Sequence, residues 1–151
     1  MLTIVPPVPR WLGMAGLAPQ VVFVISVWLG PDEWRWTSLA IGWAYAALIF
    51  SFLGGMWWGI AAARLADGRR VPRWLWVAAV LPSLFGVVSF MPWVFGQTWP
   101  GPSLGWLGVA LLLSPLVDRQ LGDLAPLWWM ALRLVLSVGL GAATLLLALA
   151  A

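Results

Sequence analysis

Along the chain, five long apolar runs alternate with short polar breaks, and the breaks hold nearly all the charges. The runs cover approximately residues 11–30, 38–63, 73–93, 103–121 and 126–150. A helix rises 1.5 Å per residue, so about 20 apolar residues cross a hydrocarbon core of ~30 Å. The pattern therefore predicts an all-α polytopic integral membrane protein, a five-helix transmembrane bundle in a single domain. Proline interrupts three of the runs, at Pro19, Pro82 and Pro115. Each removes a backbone donor and bends the helix it enters. Gln20, beside the first of them, is polar enough to seek another helix rather than lipid. The fourth run is the shortest, and spans fully only if it extends past Pro115 through Asp118 to Gly122 or the bilayer thins around it.

The breaks set the expected topology. Residues 30–37 form a turn with charges of both signs, and Met91 to Pro102 carries too many prolines and glycines for regular structure. Arg64, Asp67, Gly68, Arg69, Arg70 and Arg73 make a compact basic loop that cannot enter hydrocarbon. By the positive-inside rule this loop lies in the cytoplasm, with Arg10 and Arg119 on the same side and Arg35 alone on the other. The amino terminus is then cytoplasmic and, after five spans, the carboxyl terminus periplasmic. The proline-rich start, Met1 to Arg10, lacks the basic stretch, apolar core and cleavage site of a signal peptide, so it is expected to be retained.

Within the second run, every fourth residue from Ala47 is small: Ser51, Gly55, Gly59 and Ala63 follow, with Gly54 alongside. Such a ladder lets a neighbouring backbone approach closely where lipid gives no hydrophobic drive to associate. Glycine costs about 1 kcal/mol in a helix interior relative to alanine, so three glycines within this stretch point to a contact that alanine would crowd. The second span is accordingly expected at the centre of the bundle, with Ala47, Ser51, Gly54, Gly55 and Gly59 as its packing face. A leucine at Gly55 should disturb folding or association.

Composition narrows the chemistry. The 151 residues are 63% hydrophobic and 9% charged, with a mean hydropathy of +0.96, which sets the chain apart from soluble domains. The net charge of +3 comes from a few loop arginines, which gives no footprint for nucleic acid. There is no cysteine and no histidine, so the usual nucleophile, general base and transition-metal donors are missing. The carboxylates, Asp32, Glu33, Asp67, Asp118 and Asp123, fall in loops or at span ends. No catalytic set, metal site or cofactor is expected. Many of the 14 tryptophans lie near span ends, where an amphipathic ring suits the headgroup layer.

Two features remain as candidate ligand contacts. Arg133 is the one ionisable side chain well inside an apolar run, about 10 Å along the last helix from Pro126. An arginine at that depth costs at least ~2.5 kcal/mol on insertion scales and marks a functional site unless it is anchored. Anchoring has its own routes: snorkelling to the headgroups, pairing with Asp118 or Asp123, or lying over Trp129. Trp57 and Trp58, next to the glycines, could bound a slot for a flat apolar ligand such as a quinone or tetrapyrrole, or simply pack large against small.

Several stretches taken together resemble one family. Leu12-Gly13-Met14-Ala15-Gly16-Leu17-Ala18-Pro19, Tyr45 to Gly59 centred on Ser51-Phe52-Leu53-Gly54-Gly55, Val80-Leu81-Pro82-Ser83, and Ala125-Pro126-Leu127-Trp128 to Leu132-Arg133-Leu134 are similar, in that order, to the bacterial relatives of transmembrane protein 69. The resemblance covers four of the five spans and implies a small five-span protein of the bacterial inner membrane, with no assigned reaction. Trp57 stands where the resemblance implies histidine in a Gly-Gly-x-His-Trp-Gly motif. The expected function is that of a non-enzymatic accessory, assembly or scaffold component, packing in the lipid bilayer against other membrane proteins or as a homo-oligomer. The alternative is a binder of a small hydrophobic ligand, a quinone, tetrapyrrole or lipid, held near Trp57, Trp58, Trp129 and Arg133.

Overall fold

The computed structural model describes residues 2–151, and among these the regular structure is helical throughout. Five helical stretches are long and apolar enough to cross a membrane. The first is divided at Gly16 and Leu17 into α1 (Pro7–Ala15) and α2 (Ala18–Leu29), with Pro19 in the opening turn of α2. The second is the unbroken α3 (Arg35–Ala66) and the third α4 (Arg73–Val94), which accommodates Pro82 and Pro92 internally. The fourth is divided at Ser114 into α5 (Gly101–Leu113) and α6 (Pro115–Gln120), and the fifth is α7 (Trp129–Ala150). The expected runs are thus recovered to within a few residues at most ends. The first begins earlier, because Pro7 can open a helix without losing a bond, and the last begins at Trp129 rather than 126.

As expected, α3 is central, packing most extensively on α4 and also touching α2, α5 and α7, while α5 packs along α7. Its middle joins Ala46, Phe50 and Leu53 to Leu107 and Leu111 of α5 and Leu140 of α7. Toward the end of the bundle that carries the arginine-rich loop, Trp57 and Ala61 pack with Leu75, Ala79, Leu121 and Trp129. The outward surface is apolar as well: Leu48, Val88 and Leu149 are exposed, as side chains facing lipid rather than water are.

The small-residue ladder is used over only part of its length. Ala47 lies beside Gly86 of α4, and the hydroxyls of Ser51 and Ser83 are 2.7 Å apart. The close approach falls on Gly54, where an added Cβ would come within 3.0 Å of the Ala79 carbonyl oxygen and 3.3 Å from Pro82. Gly55 and Gly59 have nothing within 4 Å of where a Cβ would stand. Within one chain they are therefore not packing residues, because one further step of 100° around the helix turns Gly55 away from α4. Two glycines outside the ladder do pack: a Cβ on Gly108 would meet Leu145 at 2.7 Å, and one on Gly141 would meet Leu112 at 2.7 Å, where α5 and α7 cross.

Several polar groups at the breaks are tied down, although Gln20 Oε1 and Trp99 Nε1 are buried without a hydrogen-bond partner among the described residues. Gln20 is fully buried and donates through Nε2 to the Thr144 hydroxyl at 3.0 Å, the helix partner expected of it. Arg35 donates to the carbonyls of Val27 and Ala150, a cation closing the ends of α2 and α7. Arg64 and Arg69 of the basic loop donate to the carbonyls of Leu124 and Asp123 at 2.8 and 2.9 Å, which clasps that loop to the turn before α7. At the opposite end Trp43, Phe90, Trp93 and Trp99 form an aromatic cluster with ring centroids 5.1 to 6.0 Å apart. These rings pack on one another rather than standing singly at a membrane interface.

Candidate functional site

The break in the fourth span builds the polar centre of the bundle. Pro115 has no N–H, so the carbonyl four residues earlier, that of Leu111, loses its helical donor. The Ser114 hydroxyl replaces it, donating to Leu111 O at 2.7 Å. The chain then turns into α6, and Asp118, in its first turn, faces inward with its side chain fully shielded from solvent. Leu121, three residues on, is buried beside it in sequence, which holds this short helix against the core.

Asp118 meets three donors. Trp57 of α3 and Trp129 of α7 each donate an indole N–H to Oδ1 at 2.8 Å, and Arg133 of α7 donates Nε–H to Oδ2 at 2.8 Å. Arg133 also donates through Nη2 to the hydroxyls of Ser114 at 3.0 Å and Ser137 at 2.9 Å. The two hydroxyls are 3.1 Å apart. Because the Ser114 proton is committed to Leu111, Ser137 is the donor of that last bond, and the direction of the network is set. Burying a charge in apolar surroundings costs several kcal/mol unless it is paired and hydrogen-bonded, and here both ions are. Arg133 is accordingly anchored by Asp118 rather than by snorkelling, and Trp129 serves through its N–H rather than as a ring beneath the guanidinium.

Two apolar cavities flank this network. One, of about 510 Å³, lies among α1, α3 and α7 and is lined by Leu12, Phe52, Met56, Leu136, Arg133 and Ser137, with Trp129 at the same end. The other, of about 430 Å³, opens between α3, α4 and α5 and reaches Trp57 and Ser114. The larger has the size of a small-molecule pocket and the usual make-up, an apolar wall with a few convergent polar groups. Among its lining residues Arg133 is the sole ionisable side chain. The bonds that hold Arg133 use Nε and Nη2, and Nη1 enters none of them.

The family model for "Protein of unknown function (DUF3429)" matches residues 5–150, nearly the whole chain. The chain belongs to that family. No curated protein and no solved structure matches this DUF3429 chain.

Of the residues singled out by sequence, the structure of this DUF3429 member brings together Trp57, Trp129 and Arg133 and leaves Trp58 out. Trp58 is 48% exposed and packs edge-on against Trp76 with centroids 4.8 Å apart. The two adjacent tryptophans point about 100° apart on α3, so they do not face one common site. The indole N–H of Trp57 supplies a donor to Asp118. Sequence reasoning placed Asp118 in a loop, although it offered Asp118 or Asp123 as a partner for Arg133, and passed over Ser114 and Ser137. The available signal was the spacing of Trp129, Arg133 and Ser137, each four residues from the next along one face of α7, opposite a proline break carrying a serine and an aspartate.

Proposed function

We propose that this protein is a non-enzymatic membrane protein that binds a small hydrophobic ligand in the cavity beside Arg133. The observation that carries this reading is the pairing of an apolar wall with one fixed, buried guanidinium whose Nη1 takes no part in the internal network. A pre-oriented donor in a site of low dielectric discriminates strongly in favour of ligands that supply an acceptor, because an unmet polar group there is costly. Quinones and lipid carbonyls fit that description. A flat tetrapyrrole is less well served, since Trp58 faces away from the cavity beside Arg133 and is not among its lining residues.

The experiment is purification from native membranes in mild detergent, with mass spectrometry of every small molecule retained by the wild type and by a Leu136→Trp protein, in which the cavity is obstructed. A species retained in stoichiometric amount by the first and lost from the second supports the reading. Identical small-molecule content in both, with the variant folded, overturns it.

A second reading has its own observation. Gly55 and Gly59 present an open small-residue face on α3, which supports contact with another membrane protein or a second copy, as an accessory, assembly or scaffold component. Under both readings the protein sits in the bacterial inner membrane with the arginine-rich loop and amino terminus in the cytoplasm and the carboxyl terminus in the periplasm. The distribution of arginines and the resemblance to bacterial relatives of transmembrane protein 69 support that placement.

A further inference from the structure

We propose that the Arg133 cavity accepts apolar molecules ending in a single uncharged hydrogen-bond acceptor, a ketone, ester or quinone oxygen, and rejects the corresponding carboxylates. The inference rests on the cavity being a ligand site and adds the class of ligand that it takes. It follows from charge balance. An arginine at the end of an apolar cavity invites an anion, but here its charge is already matched by Asp118, with Arg133 Nε 2.8 Å from Oδ2 and both side chains buried. Asp118 does not line the cavity, so a ligand meets the guanidinium while the carboxylate stands behind it. A neutral acceptor entering there leaves the site uncharged. An anionic end would make it net negative in apolar surroundings, with a desolvation cost of several kcal/mol that no second cation on the wall offsets.

The same network limits the ligand to one polar end. The indole N–H of Trp129 goes to Asp118, and the Ser137 proton goes to Ser114. Nε and Nη2 of Arg133 are engaged as well, which leaves Nη1 as the guanidinium donor not committed to the network, on a residue that lines the cavity. The remaining wall, from Leu12 and Phe52 to Leu140, is hydrocarbon and aromatic ring.

The test uses two probes that differ in the charged end alone, methyl palmitate and palmitic acid. Native mass spectrometry would titrate each into the full-length protein in detergent at about pH 9, above the ordinary carboxyl range. The Leu136→Trp protein gives the non-cavity background. The ester should bind at least about tenfold more tightly than the acid, the factor set by even a fraction of the buried-charge cost. In Asp118→Asn the guanidinium loses its compensating charge, and the preference should fall to parity or reverse toward the acid. Equal or tighter binding of the acid by the wild type overturns the charge rule while leaving the cavity as a site. Absence of cavity-dependent binding of either probe overturns the ligand reading itself. Should Asp118→Asn fail to fold, the wild-type comparison decides alone.

Discussion

Gly54 and Gly55 are neighbours of one type on one helix, and the structure assigns them opposite fates on substitution by alanine. At Gly54 the new methyl would come within 3.0 Å of the backbone oxygen of Ala79 and 3.3 Å from Pro82. Neither is the free end of a flexible side chain, so α3 and α4 must separate. Overpacking of this kind costs about 1–3 kcal/mol. At Gly55 there is nothing within 4 Å, and alanine should gain up to about 1 kcal/mol of helix propensity. That gain is common to both positions. The difference between the two variants therefore isolates the steric part, with Gly54→Ala expected to be about 1–3 kcal/mol less stable than Gly55→Ala. Reversible unfolding by sodium dodecyl sulfate in mixed micelles, followed by tryptophan fluorescence, measures it. A Gly54→Ala protein as stable as the wild type or more so would refute the α3–α4 approach as drawn. A Gly55→Ala protein destabilised as much as Gly54→Ala would show that another molecule covers this face, and Gly55→Leu should then alter migration on native gels.

Three further outcomes follow from the site and its surroundings. Asp118→Ala strands a buried guanidinium and should destabilise by about 3–5 kcal/mol, whereas combining it with Arg133→Met should recover much of that loss in the same assay, giving a strongly non-additive double-mutant cycle. Ser114→Ala deprives both the Leu111 carbonyl and Arg133 of a partner and should cost about 1–3 kcal/mol; a neutral result would show that the Pro115 break needs no side-chain support. Gly108→Ala should cost about 1–3 kcal/mol through Leu145, and an unchanged unfolding midpoint would count against the α5–α7 crossing.

The spans were legible because length and hydropathy suffice to read them, and the prolines at positions 19 and 115 marked both helix breaks. The centrality of α3 was legible too, and Gly54 stood in the expected packing face, but Gly55 and Gly59 were grouped with it although nothing in the chain lies against them. A four-residue ladder defines a direction around the helix only to within a residue, and Gly54 and Gly55 lie on either side of that uncertainty. Gly108 and Gly141 stand outside any ladder, so their mutual approach emerges only once α5 and α7 are placed. Arg133 was recognised from its depth and Asp118 was one of two partners offered for it, yet Asp118 was placed in a loop rather than in the core. A charge beyond a proline looks like the end of a span, yet here Ser114 repairs the break and carries Asp118 into the core.

The pairing of Asp118 with Arg133 also bears on how the chain reaches its place. The two residues belong to successive spans separated by one short turn at 121–128. Each charge alone opposes entry into lipid, by up to about 2.5–3.5 kcal/mol at full depth on insertion scales. Together, with the bond formed, they oppose it less than the two separate charges do. Partitioning from the translocon should therefore favour release of the last two spans as one hairpin, neutralised before it meets hydrocarbon. Truncation after α6 would leave Asp118 without Arg133 and Trp129, and the fourth span would be held back in the aqueous channel until its successor is made.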